Sequence, residues 1–135
     1  MKNIEIVKEL YRSIREKDYD SFKTICSPDI AWIQNKGFPH GGIHRGADEV
    51  IENVFNSFSN EWEQFGFQTN EFIEGKSSVV VLGKYVGVVR KTHKSMSADA
   101  CHVYTLIDGK VIRFRQYTDT KIIEDALASG NTGGA

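Results

Sequence analysis

The sequence predicts an α+β protein in which helices near the N-terminus cover one face of an antiparallel sheet. Helical spacing of apolar residues is confined to the start of the chain, a segment around residue 54 and a short segment near the C-terminus. Four stretches rich in strand-forming residues follow one another between residues 66 and 119, separated by short turns. Adjacent strands with short turns pair antiparallel, and helices collected at one end favour a layered α+β arrangement.

Two helices are predicted before the first strand. Apolar side chains at three- and four-residue spacing predict an amphipathic helix over residues 3–17. Asp18 or Asp20 can cap a second short helix, which Pro28 ends. A first strand is predicted at residues 30–33, since this segment is rich in strand formers.

The middle of the chain is predicted as a loop, a helix and two strands. Residues 36–46 are rich in glycine and form a loop. A third helix covers residues 50–58, and strands cover residues 66–73 and 79–90, the second bending at Gly83 and Gly87. After the last two strands, residues 122–127 are expected to form a short terminal helix.

Length and charge limit the functional classes. The chain has 135 residues and is 40% hydrophobic with a net charge of −1, which suits one domain and disfavours nucleic-acid or anionic-membrane partners. No apolar run approaches the ~20 residues needed to cross a bilayer, and the charged N-terminus is unlike a signal peptide. We expect a cytoplasmic protein with a single domain at residues 1–128 and a flexible tail at residues 129–135.

The last two strands, residues 98–119, carry most of the candidate chemistry. Asp108-Gly109 is a strong hairpin signal that pairs Ile107 with Lys110. Counting outward from this turn predicts one polar face, made of His102, Tyr104, Arg113, Arg115, Tyr117 and Asp119.

This register places His102 opposite Arg115 and Tyr104 opposite Arg113. The alternation of polar and apolar residues along these strands is compatible with two orientations of the hairpin. The polar face lines a pocket under the helices, or it faces solvent and the other face is the core. One-sided sheets favour the second arrangement, and a slip of one residue would exchange the faces.

The polar residues suit proton transfer. His102 can give or take a proton near neutral pH, and a neighbouring Arg115 would favour the neutral imidazole. Arg115 could stabilise an enolate oxygen, while Asp119 orients its neighbours or acts as the acid/base itself. The structural alternative is an Arg–Asp pair that only stabilises the sheet.

No metal or cofactor site is predicted. His40 and His44 lie in a glycine-rich loop without a second cluster of ligands, and no phosphate-binding motif is present. Trp32 and Tyr85 are candidates for the apolar wall of a pocket, although aromatic residues of this kind are more often core.

Two segments carry a family resemblance: residues 41–46, Gly-Gly-Ile-His-Arg-Gly, and residues 102–119, which run from His-Val-Tyr-Thr to Gln-Tyr-Thr-Asp. With the element order over residues 3–128, they make the chain resemble the SnoaL-like branch of the nuclear transport factor 2-like (NTF2-like) superfamily. Its relatives include polyketide cyclases and ketosteroid isomerase. The resemblance implies a cone-shaped, curved antiparallel sheet packed on N-terminal helices, the cystatin-like α+β roll, with the polar face turned into a pocket.

The resemblance also implies a site. Asp119 matches the acid/base aspartate at the end of the last strand of SnoaL-like cyclases, and His102 matches a polar position on the preceding strand. We therefore predict Asp119, His102 and Arg115 as catalytic residues. The predicted substrate-binding residues are Tyr104, Tyr117, Arg113, Trp32 and Tyr85. Residues 32–35 lack the carboxylate that ketosteroid isomerases use as a base near the first strand.

Two functions follow as expectations. The first is a cofactor-independent isomerase, cyclase or hydratase that acts on a small hydrophobic carbonyl compound. The second is a non-catalytic ligand-binding or dimerisation domain of the same fold. A homodimer is expected through the outer sheet face, where Val103, Thr105, Ile112 and Phe114 would lie.

Overall fold

Six strands form one curved, unclosed sheet in the order β2-β1-β6-β5-β4-β3 in a computed structural model, which describes residues 1–128. The predicted tail at residues 129–135 lies outside the described residues. The strands are β1 (Cys26–Gln34), β2 (Gly42–Arg45), β3 (Trp62–Glu74), β4 (Ser78–Val89), β5 (Ser95–Ile107) and β6 (Lys110–Thr118). The helices are α1 (Asn3–Arg15), α2 (Tyr19–Ile25), α3 (Ala47–Val50), α4 (Phe58–Glu61) and α5 (Thr120–Ala128), and a π-helical turn, Ile51–Phe55, follows α3.

The predicted α+β class, with a curved sheet and N-terminal helices, is confirmed. One detail differs, because β1 pairs with β6 in parallel while the other neighbouring strands pair antiparallel. A parallel pair requires a long crossover connection. The chain from β2 through β5 provides that connection.

The two N-terminal helices form near their predicted positions, but Pro28 does not end the second one, because α2 ends at Ile25 and Pro28 lies within β1. Helix α1 buries Ile6, Val7 and Leu10 on one face. Helix α2 begins after Asp18, whose side chain accepts a hydrogen bond from the Ser21 backbone N–H. Within residues 1–128, no helix is both long and apolar enough to cross a membrane.

The segment between β1 and β3 differs from the prediction. The predicted loop at residues 36–46 contains the four-residue edge strand β2, which is too short and glycine-rich to give an alternating pattern. The predicted helix at residues 50–58 is divided into α3, the π-helical turn and α4. Helix α3 of this segment packs on β1 and β2, and α4 packs on β3.

Two groups of buried residues hold the helices against the sheet. Leu10 and Phe22 of α1 and α2 pack with residues of β1, β4, β5 and β6, including the buried Tyr104. Ile123 and Ala126 of α5 pack with β5. The cavity described below lies beside both groups.

The predicted hairpin register is confirmed at the turn and is wrong beyond it. Asp108 and Gly109 both have positive φ, and the pairs Ile107–Lys110 and Leu106–Val111 form as predicted. The next pair is Thr105 with Arg113, so Ile112 is an extra residue in β6. This β-bulge shifts the remaining pairs by one residue.

Because of the bulge, the β6 residues beyond it that were predicted on the inner face lie on the outer face, and the reverse. The residues of β5 keep their predicted faces. His102 is opposite Gln116 and Tyr104 is opposite Phe114, and all four side chains are buried on the inner face. The three β6 residues that were predicted beside them, Arg113, Arg115 and Tyr117, lie on the outer face instead. Phe114, predicted on the outer face, is a core residue.

Candidate functional site

A cavity of about 930 Å³ opens between α1, the segment from the π-helical turn to β3, and the inner face of the sheet. Its size suits a small organic molecule. The polar side chains of its sheet wall are few, and aromatic rings surround them. The lining includes Tyr11, Trp32, Phe67, Tyr85, His102, Tyr104 and Phe114.

His102 is the centre of this wall. The residue is 4% exposed, and its ring stacks on Phe67 with ring centroids 4.0 Å apart. Nδ1 lies 2.7 Å from the Tyr11 hydroxyl, and Nε2 lies 2.7 Å from the Tyr85 hydroxyl. Burial lowers the pKa of His102 to about 3, so the imidazole is neutral at neutral pH.

The buried amide of Gln116 sets the direction of these hydrogen bonds. The backbone N–H of Asn35 donates to Gln116 Oε1 at 3.1 Å, and Gln116 Nε2 donates to the Tyr85 hydroxyl oxygen at 2.7 Å. Tyr85 then uses its own proton to donate to His102 Nε2. A neutral imidazole that accepts at Nε2 carries its proton on Nδ1, which therefore donates to Tyr11. The proton of Tyr11 is left to donate into the cavity.

Tyr104 supplies a second hydroxyl. Its side chain is 0% exposed and lines the cavity, and its oxygen makes no hydrogen bond of acceptable geometry within residues 1–128. Besides the larger effect of burial, a contact between the Tyr104 and Tyr11 hydroxyls raises the pKa of Tyr104 and lowers that of Tyr11. Burial raises the pKa of both phenols, so both keep their protons. An unsatisfied buried hydroxyl costs about 1–3 kcal/mol, and a ligand that accepts its hydrogen bond would remove this cost.

The structure divides the predicted site residues into two groups. His102, Tyr104, Trp32 and Tyr85 line the cavity together. Asp119, Arg113, Arg115 and Tyr117 do not line it.

The second group has its own contacts. Asp119 is exposed beyond the end of β6, and its Oδ1 accepts a hydrogen bond from the Ile122 backbone N–H at 3.3 Å, in the first turn of α5. The Arg115 guanidinium carbon lies 4.9 Å from the centre of the Tyr117 ring. The predicted His102–Arg115 neighbours are therefore wrong, because the bulge at Ile112 turns Arg115 outward.

Two residues of the site were missed. Tyr11 lies on the apolar stripe that predicts α1, and its hydroxyl, which needs a hydrogen-bond partner, was the available signal. Gln116 lies between Arg115 and Tyr117, so the predicted register puts it on the opposite, more apolar face of the hairpin. An amide among apolar neighbours was the available signal, since buried amides are usually hydrogen-bonded.

The loop histidines do not form a joint site. His44 Nε2 lies 2.8 Å from the backbone carbonyl oxygen of His40, so it meets the main chain and not the other ring. Across residues 1–128, no three potential metal-ligating side chains cluster.

Comparison with known proteins gives a family and several structural relatives. The SnoaL-like domain family matches residues 7–114. An NTF2-like protein from Burkholderia thailandensis is 31% identical, with a TM-score of 0.86 over 92% of this chain and 95% of the other. No curated protein sequence matches the chain.

Two further structures share the fold at lower identity. TerC, co-crystallised with polyporic acid, is 24% identical, with a TM-score of 0.83 over 93% of this chain and 97% of its own. A protein from Jannaschia sp. CCS1 named as a SnoaL-like polyketide cyclase is 18% identical, with a TM-score of 0.81 over 94% of this chain and 92% of its own.

Proposed function

We propose, since the chain belongs to the SnoaL-like domain family, that its cavity binds a small hydrophobic carbonyl compound and catalyses proton transfer on it without a cofactor. The reaction class is isomerisation, cyclisation or hydration. The observation that carries the proposal is a buried His102 held between two tyrosine hydroxyls in the cavity wall. The co-crystallisation of TerC, which shares this fold, with polyporic acid supports an organic ligand.

Tyr11 and Tyr104 are suited to bind the carbonyl oxygen. Both hydroxyls keep their protons and line the cavity, and the hydrogen-bond directions around His102 leave the Tyr11 proton available. A carbonyl oxygen that becomes an enolate gains more from such donors than the ground state does, because charge-assisted hydrogen bonds are stronger. The pair would therefore lower the barrier to enolisation.

Tyr85 and His102 are suited to accept the proton from carbon. The substrate C–H bond breaks as its proton moves to the Tyr85 oxygen, while Tyr85 passes its own proton to His102 Nε2. The carbonyl becomes an enolate and the imidazole becomes an imidazolium. Burial disfavours that imidazolium in the free protein, but a neighbouring enolate would raise the pKa of His102 in the complex. Return of the proton to another carbon completes an isomerisation.

The test uses α-tetralone, an apolar ketone with exchangeable α-protons, in D2O. We expect the protein to accelerate α-deuterium exchange, measured by proton NMR. His102→Gln and the double variant Tyr11→Phe/Tyr104→Phe should each reduce the acceleration by about 100-fold, as expected for loss of acid–base assistance. Tyr117→Phe is the matched control, because Tyr117 is exposed and outside the cavity. Exchange at the buffer rate would contradict catalysis on this ketone class.

A non-catalytic binding domain is the second candidate. It is favoured by the occupation of both His102 nitrogens, and by the lowered pKa that makes the free imidazole a weak base. Trp32 and Trp62 are the two tryptophans of the chain and both line the cavity, so their indole N–H signals report its occupancy. Shifts of both signals with α-tetralone, without faster exchange, would support binding alone.

A further inference from the structure

We infer that the ligand of this cavity carries a carboxylate that binds at the cavity mouth to Lys8, Arg15 and Lys17, while its apolar body lies against the aromatic wall. The inference rests on the proposed function only in that a small molecule occupies the cavity. It adds the charge of that molecule and the place where the charge binds.

The charges around the cavity are unbalanced. Four of the five charged side chains that line it are basic, although the whole chain has a net charge of −1. The one acidic residue, Glu63, contacts the ring of His93. Arg90 donates to the backbone carbonyl oxygens of Ser59 and Trp62, at 3.0 and 3.1 Å, and is held there. The remaining cations, Lys8, Arg15 and Lys17, are exposed at the mouth.

Helix α1 places these cations around Tyr11. Lys8, Tyr11 and Arg15 are separated by three and four residues, a spacing that puts them on one face of the helix. Lys8 Nζ lies 5.1 Å from the centre of the Phe72 ring, which also lines the cavity. Lys17 follows the end of α1 in a left-handed conformation, with φ of 56°. The helix that directs Tyr11 into the cavity therefore carries cations at its mouth.

The cations on the two sides of α1 differ in their ion pairs. Arg12, away from the cavity, forms ion pairs with Glu9, Glu16 and Asp18 at 2.6, 3.1 and 3.0 Å. By contrast, the three cations at the mouth have no carboxylate within 4.0 Å anywhere in residues 1–128. Like charges gathered at the mouth of a low-dielectric cavity create a positive potential that attracts an anion. A ligand carboxylate would supply the missing counterion.

A ligand of this kind satisfies both ends of the site. Its carboxylate lies among the mouth cations, and its rings lie against the aromatic wall that includes Trp32 and Phe67. A neutral carbonyl deeper in the molecule accepts hydrogen bonds from Tyr11 and Tyr104. An aromatic keto acid is the simplest compound with these three parts.

The test compares naphthaleneacetate with its neutral isostere naphthaleneacetamide by isothermal titration calorimetry. We expect the acid to bind at least tenfold more tightly than the amide at low ionic strength. The preference should fall as salt is added, because exposed charges are screened. The triple variant Lys8→Gln/Arg15→Gln/Lys17→Gln should reduce the preference to within about twofold, since it removes all three cations that would pair with the carboxylate at the mouth. It should bind the amide as the unmodified protein does.

The control variant Lys36→Gln/Lys76→Gln/Lys91→Gln removes the same charge from exposed positions that do not line the cavity. It should keep the preference for the acid. Equal binding of acid and amide, or a preference that survives the mouth variant, would overturn the inference. If the amide still binds and shifts the tryptophan signals, the proposal that the cavity binds a small molecule is not affected. A preference for the acid without α-tetralone exchange would instead remove only the catalytic proposal.

Discussion

At the scale of single residues, the site is a chain of neutral hydrogen-bonding groups and not a pair of charges. The predicted arrangement placed Arg115 beside His102, where the cation would keep the imidazole neutral. The structure reaches the same protonation state by burial, with Tyr11 and Tyr85 on the two ring nitrogens. This difference matters because a dry, uncharged site strengthens hydrogen bonds to a ligand oxygen.

His102 also makes the stability of the fold depend on pH. Its folded pKa of about 3 lies below the unfolded value of about 6.5, so the unfolded chain binds the extra proton first. The stability contributed by the neutral ring is present above pH 6.5 and is lost as the pH falls from 6.5 towards 3. We expect the free energy of unfolding to fall by about 1.4 kcal/mol per pH unit from this group below pH 6. Urea unfolding between pH 7 and pH 5 measures the slope.

Two variants separate His102 from the other titrating groups. His102→Gln should remove this part of the slope, whatever its effect on stability at pH 7. His40→Asn should keep it, because His40 is exposed and has a positive φ that asparagine tolerates. An unchanged slope in His102→Gln would mean that other groups cause the acid sensitivity.

At the scale of elements, one extra residue in β6 decides which side chains reach the cavity. The bulge at Ile112 turns Phe114 and Gln116 inward and Arg113 and Arg115 outward. A turn with strong sequence signals can set the first two pairs of a hairpin. It does not determine whether a bulge follows, because a bulge depends on the curvature of the whole sheet.

Gly83 of β4 leaves space for Phe67, which stacks on His102 in the site. A Cβ atom at this position would lie 2.2 Å from the Gln68 backbone oxygen and 2.8 Å from Phe67 Cζ. Phe67 stacks on His102, so the absence of a side chain at Gly83 allows that contact. Gly83→Ala should destabilise the fold by about 1–3 kcal/mol and displace Phe67. Urea unfolding and the aromatic NMR signals of His102 measure both effects.

Gly66→Ala is the matched control for this substitution. Gly66 lies on the neighbouring strand β3, and a Cβ atom there would meet nothing within 4 Å. It should change the free energy of unfolding by less than about 0.5 kcal/mol. Equal effects of the two alanines would show that loss of glycine flexibility, and not the clash with Phe67, is the cause.

At the scale of the whole molecule, the outer face of the sheet is an unusual surface. Val80 and Leu82 of β4 and Val103 of β5 are only partly buried there. Ile73, which pairs with Val80, is 45% exposed. Arg115 Nε is buried without a hydrogen-bond partner in the described chain. An apolar surface of this kind is typical of a protein interface.

We propose that two copies of the chain associate through this outer face. Val103→Glu would place a charge at its centre and should convert a dimer to a monomer, as measured by analytical ultracentrifugation. Ile122→Glu, on the exposed side of α5, is the control and should leave the association unchanged. A monomeric unmodified protein at high micromolar concentration would contradict the proposal.

Local patterns in the sequence predicted much of the fold. The spacing of Leu10 and its neighbours predicted α1, and Asp108-Gly109 predicted the hairpin turn. Two candidate caps, Asp18 and Asp20, predicted the start of α2, and the structure uses Asp18. Each of these features depends on residues within a few positions of one another, so the chain encodes it directly. The resemblance to the SnoaL-like family identified the superfamily from the same sequence.

The partners of His102 depended on the tertiary structure. Tyr11 is 91 residues away and Tyr85 is 17 residues away, on different elements. A slip of one residue in β6 reverses every side chain beyond it, so alternation alone cannot decide whether Arg115 or Gln116 faces the cavity. The sequence by itself predicted most of the elements, and the family resemblance predicted the inward position of His102 and Tyr104. The bulge and the packing of α1 on the sheet decided which groups complete the site, because both arise from contacts between distant parts of the chain.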